Sequence, residues 1–293
     1  MKMKESAYYL VTTKNLEDRL WFRNDEDFTV GMNHVAIQAF KAKVSILAFI
    51  LMSNHLHFVL RGVKDDVVLF INKIKARFSQ YLNQKYGDEC FLRRNTVDYS
   101  KIPDQPDALE KAVAYVQMNC VAANICSHPS QYPWGTGDTF FSQNAHHGRK
   151  IGSLSHRARG RLLHSDFTDL PADWSVSDAG YIYPESYVDV KTVERLFIRA
   201  GRMNYFLNTS SKAKKRLEMS EDRHPVFRDQ VIVTALPDLC WSLFGRMRFE
   251  ELSFDEQVEF MRQIRLRFCS NVHQIARLCG LTYAEAARML DRG

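Results

Sequence analysis

The stretch from Val44 to Leu60 limits the possible folds of this chain more than any other. Val44 to Leu51 is an apolar run of strand length, the Ser53-Asn54 pair breaks it, and His55 to Leu60 then alternates. The two runs read as partners of a hairpin. In the second run His55, His57 and Val59 fall on one face, and Leu56, Phe58 and Leu60 on the other. Its position after so apolar a strand predicts a central rather than an edge place in a sheet. Two imidazoles side by side are poor core material, because each needs a hydrogen-bond partner when buried and each is a natural metal ligand. By spacing alone they are either two satisfied histidines on a half-exposed strand or a metal-binding pair. The second reading calls for one or two further oxygen or nitrogen ligands from a neighbouring element.

The segments around the hairpin fit a layered arrangement. Tyr8 to Thr13 reads as a first strand, and Gly31 to Lys41 has helical spacing. Asp65 to Tyr86 is a long amphipathic helix with Phe70, Ile74, Phe78 and Leu82 on one face; Lys73, Lys75, Arg77 and Lys85 supply cations, and Gly87 is the stop signal. Phe91 to Asp98 reads as extended. Pro106 and Asp107 open another helix running to about Val121, with Leu109, Val113, Val116 and Cys120 as its buried stripe. This order suggests an α+β fold, with helices on one face of an antiparallel sheet. From Trp134 to Arg159 Gly, Ser, Thr, Asn and His dominate, and from Val190 helical patterns run to the C-terminus. We therefore expect a first domain over 1–138, an irregular connection over 139–189 and a helical domain over 190–293.

Composition adds boundaries to this reading. In 293 residues, 45% hydrophobic and 25% charged, there is enough apolar material for a core without a disulfide or metal staple. The formal charge of +6 is compatible with nucleic acid without requiring it. The six cysteines form no C-x-x-C pair, which excludes a finger-type zinc site and reads as reduced thiols. No apolar run follows the N-terminus as a signal peptide would, and Val44 to Met52 is about half of a bilayer span. A cytoplasmic protein with no membrane partner is expected.

The Pro106 helix carries a second chemical feature. Tyr115 and Asn119 are four residues apart and project from the same side, beside the buried stripe. Tyr115 is either a boundary tyrosine with a wet hydroxyl or a nucleophile with a metal-ligating amide next to it. A phenol attacking a phosphate needs in-line alignment, loss of its proton and charge stabilisation on the non-bridging oxygens. Paired imidazoles holding a divalent ion supply the last. Tyr81 and Tyr86 compete as nucleophiles, but Tyr81 lies near an apolar stripe and Tyr86 at a helix end, and only the helix of Tyr115 also offers an amide.

Three segments in this order, Leu51-Met52-Ser53-Asn54-His55-Leu56-His57, Ala76-Arg77-Phe78-Ser79-Gln80-Tyr81-Leu82-Asn83 and Tyr115-Val116-Gln117-Met118-Asn119, resemble the single-tyrosine HUH transposases, especially the REP-associated tyrosine transposases. Ser130-Gln131-Tyr132-Pro133-Trp134 looks like the end of that family's domain, so the resemblance covers roughly residues 6–135. It implies a ferredoxin-like sheet with His55 and His57 on a central strand, binding Mg²⁺ or Mn²⁺ with Asn119 as third ligand. It also implies that Tyr115 attacks single-stranded or hairpin DNA to give a 5′-phosphotyrosine and a free 3′-OH, in a monomer or a homodimer. This chain departs from the family pattern at Ser53, where many relatives have proline, and at Cys120, where a proline would end the helix. Lys73, Lys75 and Arg77, with Arg93 and Arg94 after them, are the expected phosphate contacts. A histidine-triad hydrolase would need a third histidine where Val59 stands.

Near the C-terminus, Asn271 to Leu290 resembles a helix-turn-helix, or else an ordinary helical hairpin, within about residues 268–292. Gly280 would take the turn, Thr282 would cap the second helix, and Tyr283, Glu285 and Arg288 would face outward, towards duplex DNA in the first case. Two functions follow: a metal-dependent single-strand DNA endonuclease and strand transferase, with Tyr115 as catalytic residue, or a non-catalytic DNA-binding regulator on the same fold.

Overall fold

The computed structural model describes residues 5–13, 20–87, 92, 95–123, 125–142, 148–211, 229–268 and 270–291. Its first part runs β1 (Ala7–Thr13), α1 (Asp25–Lys41), β2 (Val44–Met52), β3 (His55–Gly62), α2 (Lys64–Tyr86) and β4 (Val97–Lys101). The strands pair antiparallel throughout in the order β2-β3-β1-β4. That connectivity and order is the ferredoxin-like arrangement. It puts β3 in the interior of the sheet, between β2 and β1, as its position after so apolar a strand predicted.

Local chemistry sets the element ends. The Asn24 side chain accepts from the Asp27 N–H, and Asp25, Glu26 and Asp27 occupy the positive end of the helix. α1 therefore begins six residues before the apolar periodicity at Gly31. α2 stops at Gly87, whose φ of 67° and N–H bond to Asn83 form a left-handed cap. β4 falls later than the extended stretch expected from Phe91, because its register against β1 runs from Thr13↔Val97 to Tyr9↔Lys101.

The two sheet faces are covered differently. Phe58 of β3 meets Phe70 of α2 with ring centroids 5.7 Å apart. Leu56, Phe58 and Leu60 thus point into the layer where α1 and α2 pack together. His57 points the other way and meets Tyr115 of α3 (Ala108–Gln117) at 5.8 Å. α3 accordingly lies against the opposite face. The helical run from Pro106 is broken at Met118 (φ −77°, ψ 2°), beyond which a single turn, α4 (Asn119–Ala122), follows.

The outer edge of β2 is closed by later chain. Leu51 N–H donates to the Trp134 carbonyl and Thr136 N–H to the Phe49 carbonyl, at 2.8 and 3.0 Å. Tyr132 Oη donates to the Leu51 carbonyl at 2.7 Å, and Asp189 N–H to that of Ile46 at 2.9 Å. Backbone groups that would otherwise template another strand are thereby satisfied. The approach is so close at Gly135 that a Cβ there would lie 2.6 Å from the Phe49 carbonyl oxygen.

Residues 148–189 hold β5 (Arg149–Lys150), α5 (His156–Leu163) and β6 (Ser175–Val176). Ile151, Leu163, Leu170, Val176 and Ile182 bury against Ala36 and Ile37 of α1. Asn33 pins this segment: its amide donates to the Leu162 and Gly180 carbonyls and accepts from Ile182 N–H, each at 3.0 Å. α6 (Val190–Phe197) and α7 (Ala200–Thr209) pack into the main core through Val193, Phe197, Met203, Phe206 and Leu207. A separate helical cluster follows: α8 (Asp229–Phe244), α9 (Phe254–Phe268), α10 (Val272–Leu278) and α11 (Tyr283–Asp291), around Leu239, Met261, Ile264, Phe268 and Ile275. The chain is thus α+β with a helical C-terminal region. Among the described residues, no helix is long and apolar enough to cross a membrane.

Candidate active site

The sheet register gathers the site residues on one face. Ile50, His57, Thr12 and Asp98 stand opposite one another across β2, β3, β1 and β4, and Met52 stands opposite His55 one row away. The His55 and His57 rings meet edge to face at 4.7 Å, and Tyr115 stands edge to face on His57. His57 is buried and His55 partly exposed.

Both imidazoles are oriented through Nδ1. His57 Nδ1 is 2.9 Å from Thr12 Oγ1, and His55 Nδ1 is 2.6 Å from Asn54 Oδ1. With Nδ1 so engaged, Nε2 is the nitrogen through which each ring would ligate a metal, the oxygen partner holding the ring plane. A further brace is Thr13 Oγ1, which accepts the Leu56 N–H at 2.8 Å.

Asn119 is buried, and its amide nitrogen donates to the carbonyls of Tyr115 and Val116 at 2.8 and 3.1 Å. The amide group is folded back onto its own helix, and Oδ1 is the atom that could serve a cation. Among the described residues, His, Cys, Asp and Glu form no group of three able to hold a metal. A cation on the histidine pair would thus complete its shell from an amide oxygen, water or the substrate. Two imidazoles with oxygen donors added would suit a borderline divalent ion such as Mn²⁺, whereas Mg²⁺ would draw most of its shell from oxygens of water and phosphate.

The three tyrosines separate clearly. Tyr81 and Tyr86 both donate to the buried carboxylate of Asp27, at 2.8 and 3.0 Å. Lys85 Nζ and the Arg23 N–H also reach it, each at 2.8 Å. Burial, then the Asp27 charge, pushes both phenols well above the usual tyrosine range. Neither lies on the histidine face. Tyr115 is half-buried, its phenol raised by burial, and it borders a cleft of about 420 Å³.

The expected phosphate contacts disperse. Lys73 and Arg77 are exposed on α2, with the sheet between them and the histidines. Lys75 turns inward and donates to the Asn95 carbonyl, and burial lowers its pKa. Arg93 and Arg94 lie outside the described residues. In the C-terminal cluster, Gly280 takes the turn with φ +67°, and Thr282 and Glu285 cap α11 reciprocally. Tyr283 is exposed and stacks on His273 at 4.3 Å; Arg288 is exposed, its Nε donating to the Ala284 carbonyl.

The sequence did not single out Thr12, because its pairing with His57 spans 45 residues. Asn54 was legible only as a strand breaker, although its neighbour His55 pointed to it.

No protein-family model matches the chain, and no curated protein matches its sequence. A solved structure described as a REP-associated tyrosine transposase bound to a REP hairpin aligns with 58% of this chain and 85% of its own, at 19% identity and a TM-score of 0.35. A superposition at that level fixes neither the fold nor the activity of this chain.

Proposed function

We propose that this chain is a metal-dependent single-strand DNA endonuclease and strand transferase of the transposition type, acting on hairpin or repeat DNA. The reading rests on one observation: His55, His57 and Tyr115 stand ring against ring on one face of a central strand. The order of the sequence motifs supports it. Tyr115 Oη would attack a DNA phosphorus in line with the 3′ oxygen. An Oη–P bond forms, the P–O3′ bond breaks, and the departing oxygen leaves as a 3′-OH carrying a proton. The phosphodiester is conserved as a 5′-phosphotyrosine, so a 3′-OH can reverse the step on another strand without ATP. A Mg²⁺ or Mn²⁺ ion held by His55, His57 and Asn119 Oδ1 would offset charge on the non-bridging oxygens. Thr12 and Asn54 keep the imidazoles oriented, and α3 holds the phenol over them. The catalytic unit is residues 1–138, joined through 139–189 to a helical unit over 190–293, where exposed Tyr283 and Arg288 on α11 offer a separate contact to duplex DNA.

The test is adduct trapping with single-stranded hairpin DNA and Mg²⁺. The wild-type protein should form a denaturant-resistant DNA adduct that Tyr115→Phe abolishes and His55→Ala reduces at least about a hundredfold. Equal nicking by wild type and Tyr115→Phe would remove Tyr115 from the reaction. Hairpin binding with no adduct under any divalent ion would favour the non-catalytic regulator.

A further inference from the structure

The cleft beside Tyr115 has a wall that the N-terminal 138 residues do not supply. Its floor is Leu10 and Ala112, one side is β4 with Ser100 and Lys101, and the far side is the end of α7 with Thr209. Leu10 and Ser100 pair across β1 and β4. They belong to the same sheet face as the Thr12–His57 row and lie two residues along, about 7 Å away. The cleft therefore opens on the histidine face, with Tyr115 on its border. Lys111 is exposed at its rim, so an apolar floor carries a cation at its mouth. The α7 wall is fastened to α3: Arg202 bridges Asp107 and Glu110 at 2.9 and 3.0 Å.

We propose that this cleft is a nucleotide subsite: it takes the deoxynucleotide next to the scissile phosphate, base inward and phosphate towards Lys111. The assignment rests on the reading of Tyr115 as nucleophile. Its volume of about 420 Å³ is in the range for a small-ligand pocket and admits one nucleotide rather than a duplex. The apolar floor suits the faces of a base, and the rim matches the charge of a phosphate. A base lodged there would hold the strand so that the phosphate beside it lies at the phenol. The helical extension would then contribute directly to substrate positioning.

Two measurements on the full chain test this. The first is the rate of adduct formation with a hairpin substrate and with the same substrate made abasic at the nucleotide flanking the cut. Wild type should lose about tenfold or more on the abasic substrate, whereas Ala112→Phe, which fills the floor, and Lys111→Glu, which reverses the rim charge, should both be slow and discriminate less than about twofold. The second is a titration with deoxyadenosine monophosphate, followed through the methyl signals of Leu10, Ala112 and Thr209. These should shift saturably in wild type and not in Lys111→Glu. Undiminished abasic discrimination in both variants overturns the subsite. If no adduct forms at all, the nucleophile assignment falls, and the titration alone decides the cleft: shifts at those methyls uphold it, and their absence overturns it.

Discussion

Asp27 shows how one buried carboxylate can settle the roles of several neighbours. Accepting from two phenols, one ammonium and one backbone N–H, it makes Tyr81 and Tyr86 structural donors. Moving either hydroxyl to a phosphate would leave that charge short of a partner. His34 is a residue of the same layer with a measurable signature. Burial, reinforced by the charges of Arg77 and His164, lowers its pKa from 6.5 to about 3. It is neutral in the folded protein across the physiological range, while the unfolded chain takes up a proton below the ordinary value. Stability is therefore complete above about pH 6.5 and is lost as pH falls towards 3, by a few kcal/mol at most. The urea midpoint of wild type should fall more steeply between pH 6.5 and 4 than that of His34→Leu. Parallel pH profiles would show that His34 takes no part in acid unfolding.

Among the elements, the closing strip over β2 is the one most exposed to a single substitution. Gly135→Ala would put a methyl 2.6 Å from a carbonyl that Thr136 already uses. A loss of roughly 1–3 kcal/mol is expected, as for overpacking elsewhere. Urea unfolding would measure it, and faster hydrogen exchange at Leu51 and Thr136 would locate it; a wild-type midpoint would mean the strip yields freely. This strip was not legible in the sequence, because Tyr132-Pro133-Trp134-Gly135-Thr136 has no period and its pairing lies more than 80 residues away. β2, β3 and α2 were legible because apolar periodicity wrote them plainly. The first turn of α1 was hidden because its residues are a cap and three acids rather than a stripe. β4 was hidden because Val97-Asp98-Tyr99-Ser100-Lys101 is edge-strand sequence that only β1 makes into a strand. Of the candidate site, the histidine face and Tyr115 could be read, whereas Lys75 looked like a solvent-facing cation and is instead turned inward onto a carbonyl that no local pattern announced.

At the scale of the whole molecule, the C-terminal helices are tied to the α+β part near the start of α1. Leu20 joins their apolar cluster, and Arg267, 1% exposed, pairs with Asp25 at 2.7 Å. The two partners of such a pair are not equivalent. Removing the carboxylate leaves a buried guanidinium uncompensated, at about 3–5 kcal/mol, while replacing the guanidinium with an apolar side chain of similar length is close to neutral. Asp25→Ala should therefore lower stability far more than Arg267→Met. It should also release the C-terminal helices in an earlier unfolding transition, visible by calorimetry and by protease sensitivity. Equal effects of the two changes would show that the pair does not hold the parts together.

The hairpin turn has a consequence for the whole arrangement. Only Ser53 and Asn54 separate Met52 from His55, and those two residues stand opposite each other across the turn. A strand distributes its side chains by parity, so one extra residue drawn into the pairing at that turn would exchange odd for even along all of β3. Leu56, Phe58 and Leu60 would then meet α3 and Tyr115, and the imidazoles would be driven against Phe70. Two residues added would leave every assignment as it is. A single residue added at this turn must therefore be taken up outside the ladder, as a longer loop or a bulge, if the histidines are to keep their direction.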